Sequence, residues 1–164
     1  MHTMKSTESL IPKAVRAPSS HNTQPWLFHV LESRISLYAG RSRALPVNDP
    51  DDRELTISCG GALMNRRVAG AAEGLDVSIE VVPDPDEPDL LARLSFSATP
   101  PAPREEASRV SFIERRRTYR KRFVPREVKA AALNLLRRAF RRFGCAWVIQ
   151  PRRYRRHPDA RLKT

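Results

Sequence analysis

The sequence predicts an α+β fold, because stretches with the alternating pattern of strands are interleaved with stretches that have helical periodicity. Two pairs of strand-like segments, within 26–39 and 77–98, flank one long amphipathic segment near the middle of the chain. The 164 residues suit a compact domain, and a hydrophobic content of 40% is sufficient to form a core.

The first elements are a short helix and a hairpin. Residues 6–16 predict a helix with Ser6 or Thr7 as its N-cap, and the next ten residues are rich in turn formers and predict a loop. Residues 26–39 alternate in polarity and predict two strands joined by a turn near Glu32–Arg34.

A long helix is predicted to begin at Asp51 or Asp52 and to run to about Glu73, ending at Gly74. Its apolar residues recur at helical spacing: Leu55, Cys59, Ala62, Leu63, Val68 and Ala69. The pair Gly60–Gly61 costs about 1 kcal/mol per glycine relative to alanine in a helix. Its presence indicates close packing against another backbone or a ligand, and a tight helix–helix contact is the simpler interpretation.

Two further strands are predicted at 77–82 and 90–98, with Leu91, Leu94 or Phe96 facing inward. Three prolines then stiffen the segment 99–108, which is interpreted as a linker.

The linker divides the predicted organisation, in which residues 1–98 form a first unit and 109–150 a partial second one. The second unit is expected to hold a helix start and basic turn at 111–123, a helix at 126–143 and a strand at 145–150. The basic tail, 151–164, lacks periodicity and is expected to be disordered.

The net charge of +12 is unevenly distributed. Residues 1–100 hold 10 Lys and Arg against 13 Asp and Glu, whereas residues 101–164 hold 20 against 5. Such asymmetry can indicate nucleic-acid binding, here through 115–163, but several aromatic residues needed for base stacking occupy core-like positions, so this function is not favoured.

Other compositional features exclude several classes of protein. The chain lacks an apolar run of about 18 residues and a secretory signal, so neither a membrane span nor export is predicted. Two cysteines without CxxC spacing predict neither a disulfide framework nor a metal site, and the cytoplasm is the expected location.

Two polar constellations could carry chemistry. The loop Pro18–Trp26 places hydroxyls and amides directly before a strand, where they could bind a heteroaromatic ring or merely organise the turn. The segment Arg115–Phe123 contains arginines that could bind phosphate bidentately or form a solvated basic face.

These two constellations carry a resemblance to the nitroreductase family of FMN enzymes. APSSHNTQPW is similar to the family's PSxxNxQPWxF segment, which Phe28 completes. As in the two-repeat, Acg-type branch, it is followed by a hairpin, an R-x-L-x-x-x-DP-x-x-REL stretch beginning at Arg43 and an ISCGGAL helix. RRTYRKRF at 116–123 resembles the R-R-[ST]-x-R motif that opens the second repeat, and the whole resemblance covers about residues 8–143.

The resemblance implies helices packed on a mostly antiparallel sheet, as a first repeat followed by the incomplete start of a second. It also implies FMN held between two units. The residues expected along the flavin ring are Pro18, Ser19, Ser20, Asn22 and Gln24. Those expected near the phosphate are Arg116, Arg117, Thr118 and Arg120.

The implied activity is reduction of the flavin by NAD(P)H, followed by reduction of a nitro compound or quinone as the small-molecule acceptor. Because the cofactor performs this chemistry, no catalytic side chain and no metal ligand is predicted. The alternative is a flavin-sequestering protein or pseudo-oxidoreductase fragment that binds FMN without turnover.

The two-repeat branch implies a chain roughly twice as long, so truncation within the second repeat is expected. Residues 137–164 hold ten Lys and Arg but one acidic residue, Asp159, which suggests a frameshifted tail. The apolar face that a missing half leaves uncovered is expected to drive self-association.

Overall fold

The computed structural model describes residues 8–31, 34–98, 104–124 and 126–142. The chain divides into two compact units, Met1–Tyr119 and Arg120–Thr164. The helices of the first unit are α1 (Ile11–Ala14), α2 (Arg53–Ala72) and α3 (Arg104–Arg115). Its strands are β1 (Trp26–Leu31), β2 (Arg34–Ala39), β3 (Leu75–Val81) and β4 (Leu90–Ala98). The second unit contains α4 (Ala130–Arg142).

The four strands form one antiparallel sheet in the order β1-β2-β4-β3. The predicted hairpin is confirmed, since Trp26 pairs with Ala39 at one end of β1 and β2 and Leu31 pairs with Arg34 at the other. Its two connecting residues, 32 and 33, lie outside the described residues. With helices packed on this sheet, the predicted α+β fold is confirmed.

Strand β4 matches its predicted bounds, and β3 begins two residues before the predicted start. Burial alternates along β4, where the buried residues are Leu90, Ala92, Leu94 and Phe96. The inward orientation predicted for Leu94 and Phe96 is confirmed. Leu91 also packs against the core but is only partly buried. Side chains alternate between the two faces of a strand, and Leu91 is out of phase with the buried set.

Helix α2 has the predicted bounds, with Asp52 at the N-cap position and Gly74 just beyond its end at a φ of 76°. The prediction assigned the cap of α2 to Asp51 or Asp52, but the carboxylate that accepts a hydrogen bond from its first turn is that of Asp49. Asp49 is buried, and its Oδ2 accepts a hydrogen bond from the backbone N–H of Leu55 at 2.9 Å. The Asp52 carboxylate instead pairs with Arg41.

The core lies between α2 and the sheet. The buried residues of α2 are Leu55, Ser58, Cys59, Ala62, Arg66, Ala69 and Gly70. Arg66 is fully buried, and its guanidinium carbon lies 5.4 Å from the centroid of the Phe28 ring and 5.6 Å from that of Phe96. Burial lowers the pKa of Arg66 to about 10, while both rings stabilise the cation by their quadrupoles.

The helix predicted at 6–16 is interrupted, since Glu8 and Ser9 are helical, Leu10 is a turn residue and α1 then begins at Ile11. This start places Pro12 in the first turn of α1, where a proline is tolerated. The proposed caps Ser6 and Thr7 lie outside the described residues.

The linker predicted at 99–108 is wrong in its second half, since α3 begins at Arg104. The prolines all precede that residue, and the charged residues that follow them favour a helix. The helix start expected within 111–123 is wrong, because α3 already begins at Arg104. The basic turn expected after it agrees with the structure, since α3 ends at Arg115 and residues 116–124 are not helical.

The helix predicted at 126–143 is confirmed in type, although α4 begins later, at Ala130. The strand expected at 145–150 and the tail at 151–164 lie outside the described residues. Among the helices of the described ranges, none combines the length and apolar character required to cross a membrane.

Candidate functional site

The loop between α1 and β1 has an unusual backbone. His21, Asn22 and Gln24 have φ values of 50°, 60° and 51°, in the left-handed region that most side chains avoid. Each such residue costs on the order of 1 kcal/mol or more, and clusters of them are found where surrounding contacts fix a functional geometry. Residues 18–24, which we call the amide loop, therefore have a conformation that neighbouring elements must impose.

The exit of the amide loop is held by hydrogen bonds to its backbone carbonyls. The Nη1 atom of Arg43 donates to the carbonyl of Gln24 at 3.0 Å. The carbonyl of Pro25 accepts from the backbone N–H of Gly40 at 2.7 Å and from the thiol of Cys59 at 3.4 Å. Burial raises the pKa of Cys59 to about 11, so this thiol stays protonated and able to donate.

The start of the loop rests on α2. A Cβ atom at Gly61 would lie 3.6 Å from Cβ of Ala17 and 3.9 Å from Cδ of Pro18, so this glycine packs against the loop. Two turns before, Glu54 accepts a hydrogen bond from the hydroxyl of Ser20. At Gly60 no atom lies within 4 Å of an added Cβ among the described residues. The simpler interpretation of this glycine pair, a helix–helix contact, is therefore wrong for the described structure.

The polar side chains of the loop fall into two groups. Ser19 accepts a hydrogen bond from the backbone N–H of Gln24 at 3.0 Å, and the hydroxyl of Ser20 is engaged with α2, so both organise the turn. The side-chain amides of Asn22 and Gln24 make no hydrogen bond to any of the described residues. Nδ2 of Asn48 lies 3.3 Å from Nε2 of His21. The side-chain amides of Asn22 and Gln24 thus remain available to donate and accept hydrogen bonds to a ligand.

The first arginines of the second motif lie beside the entry of the amide loop. Nε and Nη2 of Arg116 donate to the carbonyl of Arg16 at 3.1 and 3.0 Å, and Nη1 donates to Oγ1 of Thr118 at 3.1 Å. Nη1 of Arg117 donates to the carbonyls of Glu114 and Arg116 at 3.0 and 2.9 Å.

Arg120 is exposed and begins the second unit, so the predicted phosphate-end residues are divided between the two units. Of that set, Arg116 is brought next to the chain that leads into Pro18, and Thr118 accepts a hydrogen bond from Arg116. Arg117 is turned back toward the end of α3. The segment is solvent-exposed, as expected for a solvated basic face, and Arg116 and Arg117 also donate to backbone carbonyls. Phosphate binding by these arginines stays a prediction.

Several residues that shape this region were not predicted. Lys13 and Glu114 form an ion pair, and Nη1 of Arg16 donates to the carbonyl of Glu114 at 3.4 Å. The hydrogen bond and charge of Lys13 lower the pKa of Glu114 despite some desolvation. Nothing in the local sequence links residues one hundred positions apart, so only the fold reveals these contacts.

The described residues contain no cluster of three or more His, Cys, Asp or Glu side chains that could hold a metal ion. The amides, hydroxyls and guanidinium groups of the amide loop and the arginine motif suit neutral heteroaromatic edges and anions.

Comparison with known proteins places these features in context. No protein-family model matches the chain. Over 119 residues it is 35% identical to "Putative NAD(P)H nitroreductase Rv3131" of Mycobacterium tuberculosis, covering 73% of this chain and 34% of that relative. Over 97 residues it is 37% identical to "Putative NAD(P)H nitroreductase acg" of the same organism, covering 59% and 29%. The chain resembles the nitroreductases.

Solved structures agree with this nitroreductase resemblance at the level of the fold. A nitroreductase family protein from Streptococcus pneumoniae superposes with a TM-score of 0.51 at 16% identity, over 74% of this chain and 86% of that one. A protein from Clostridium acetobutylicum described as a putative NADH oxidase gives 0.50 at 17% identity, over 59% and 77%. The nitroreductase-like chain spans about a third of the length of its curated relatives.

Proposed function

We propose that this chain binds FMN and acts as part of an NAD(P)H-dependent reductase of nitro compounds or quinones. The observation that carries the proposal is the amide loop, a strained segment held at both ends whose Asn22 and Gln24 amides remain available. The names of the relatives from Mycobacterium tuberculosis support the reaction class.

The donor set of the amide loop fits the edge of a flavin ring. That ring offers acceptors at O2, O4, N1 and N5 and a donor at N3, and each side-chain amide carries one acceptor and two N–H donors. In this proposal Pro18, Ser19 and Ser20 line the ring together with Asn22 and Gln24. The contacts at Gln24 and Pro25 carbonyls fix the backbone before binding, which reduces the entropy lost on association.

The arginine motif supplies the phosphate end of the proposed site. Guanidinium groups bind phosphate bidentately, and a neighbouring hydroxyl adds a donor. We assign Arg116, Arg117, Thr118 and Arg120 to this end, as the family resemblance implies. The exposure of these residues leaves N–H groups free for an anion from solvent.

When bound, FMN would accept a hydride from NAD(P)H and pass the electrons to the acceptor. The residues of this chain bind and orient the ring, and none of them needs to act as an acid or base. The dependence on NAD(P)H makes the cytoplasm the proposed place of action.

Flavin binding by the full chain tests the proposal. Quenching of FMN fluorescence should saturate, and Asn22→Ala should weaken the affinity about tenfold, as expected for loss of a hydrogen-bonding amide. Asn134→Ala is the matched control, because this exposed asparagine lies on α4 in the second unit. The affinity of this variant for FMN should equal that of the unmodified chain. Failure of the unmodified chain to bind FMN would refute the proposal.

A turnover assay separates catalysis from sequestration. If the flavin-loaded chain oxidises NAD(P)H in the presence of a quinone, the reductase assignment is supported. If it binds FMN but oxidises no NAD(P)H, the flavin-sequestering alternative replaces the reductase.

We also propose that two copies associate through the outer face of α2. Ile57 is 65% exposed and Met64 40% exposed, and Gly60 between them permits close approach of another backbone. Light scattering should show an oligomer that Ile57→Glu converts to a monomer, whereas a monomer in the unmodified chain would contradict the proposal.

A further inference from the structure

Arg116 makes an unusual contact for a residue assigned to a phosphate. Its Nε and Nη2 atoms, on one edge of the guanidinium, both donate to the single carbonyl of Arg16, at 3.1 and 3.0 Å. Its Nη1 atom donates to Thr118 at 3.1 Å. Three of the five N–H groups are therefore engaged within the protein, and one from each Nη atom remains for another ligand.

The Arg16 carbonyl needs such a partner because it lies just beyond the end of α1. Val15 is the C-cap of that helix, so Arg16 is already outside it, and no backbone N–H of the described residues donates to the Arg16 carbonyl. Pro18 follows two positions later and disfavours continuation of the helix, which would otherwise give this carbonyl a backbone partner. Arg116 supplies the missing donors from a segment one hundred residues away.

Two further contacts join the same pair of segments. Lys13 forms an ion pair with Glu114, and Nη1 of Arg16 donates to the Glu114 carbonyl at 3.4 Å. Ala17, between the bonded carbonyl and the amide loop, is 4% exposed. The chain that enters the loop is thus fixed on one side by the end of α3 and on the other by α2.

We propose that Arg116 is a positioning residue that sets the entry of the amide loop through the Arg16 carbonyl. The contact with a phosphate, which rests on the proposed function, then uses only the outer edge of the same guanidinium. A lysine at this position could carry the charge but could not form the two parallel hydrogen bonds to one carbonyl.

The proposal makes a prediction for the loop without any ligand. The backbone N–H groups of Asn22, Thr23 and Gln24 are hydrogen-bonded at 3.1, 3.0 and 3.0 Å to Ser19 and Ser20. Release of the loop entry should disturb this turn, because three of its residues are in a conformation that depends on external contacts.

Amide hydrogen exchange of the flavin-free chain measures this effect. Arg116→Ala and Arg116→Lys should raise the exchange rates of the Asn22, Thr23 and Gln24 amides about tenfold, as for loss of a charge-assisted bond. Arg67→Ala removes an equal charge from an exposed position of α2 and should leave these rates unchanged. Unchanged rates in both Arg116 variants would overturn the proposal, and the lysine variant guards against general unfolding of the alanine variant.

A comparison of FMN with riboflavin, which lacks the phosphate, distinguishes the two roles in binding. If Arg116 positions the loop, Arg116→Lys should weaken both flavins by a similar factor. If it acts as a phosphate ligand alone, Arg116→Ala should weaken FMN and leave riboflavin unchanged, which would overturn the positioning role. If neither flavin binds the unmodified chain, the proposed function fails, while the exchange experiment still decides the role of Arg116.

Discussion

Replacing each of the three glycines of α2 by alanine should change the free energy of unfolding, and the sign of the change should depend on the glycine. Replacing Gly60 by alanine adds a Cβ that meets no atom within 4 Å among the described residues, so only the helix propensity changes. The free energy of unfolding should rise by about 1 kcal/mol. Gly61→Ala should give a similar gain, since its Cβ would lie at an ordinary 3.6 Å from Ala17.

Gly70→Ala should have the opposite effect. Its Cβ would lie 2.7 Å from Cγ2 of Val77, a β-branched side chain with little rotamer freedom. Overpacking of this kind costs about 1–3 kcal/mol against a gain of about 1 kcal/mol in propensity, so the free energy of unfolding should fall by up to about 2 kcal/mol.

Urea denaturation followed by circular dichroism measures all three variants on the same scale, at low protein concentration so that association through α2 does not contribute. Destabilisation by Gly60→Ala, or stabilisation by Gly70→Ala, would refute the packing described for α2.

Three further predictions concern single side chains. Burial opposes ionisation of Asp49, but hydrogen bonds from backbone N–H groups of α2 outweigh that effect and lower the pKa of Asp49. The ionised carboxylate therefore stabilises the fold above its ordinary pKa, and this stabilisation is lost as the pH falls through the lowered pKa. Asp49→Asn should flatten the acid side of the plot of unfolding free energy against pH, as measured by denaturation. Gln24→Gly should raise the free energy of unfolding by about 1 kcal/mol in denaturation, because it removes the left-handed strain, and a decrease would contradict that geometry. Burial raises the pKa of Cys59 to about 11, so its thiol should react slowly in the native chain. In a Cys145→Ser variant, which leaves Cys59 as the one thiol, a thiol reagent should react far more slowly with the native than with the denatured chain. Equal rates would show that Cys59 is accessible.

The elements that sequence patterns predict well are those with strong periodicity and clear ends. The alternation of Arg34–Ala39 and Leu90–Ala98 indicates strands, and Gly74 marks the end of α2 because its φ of 76° suits glycine. The start of α3 was missed because three prolines dominate the interpretation of 99–108, although each of them precedes the helix.

The site is less predictable because its geometry depends on contacts between distant segments. The buried position of Arg66 could have been inferred, since it falls on the apolar face of α2 between Ala62 and Ala69, but its charge argues against burial. The link from Arg116 to Arg16 has no sequence signal, because a helix-end carbonyl can be satisfied by any nearby donor. Which residues touch a cofactor stays a prediction.

The strand order β1-β2-β4-β3 also determines how the first unit can assemble. Each outer strand is joined to its inner neighbour by a short connection, so both hairpins can form from local contacts. The seam between β2 and β4 joins residues more than fifty positions apart, as in the pairing of Tyr38 with Leu90. Closing that seam carries the largest loop-closure entropy, so it should be the slow step in folding.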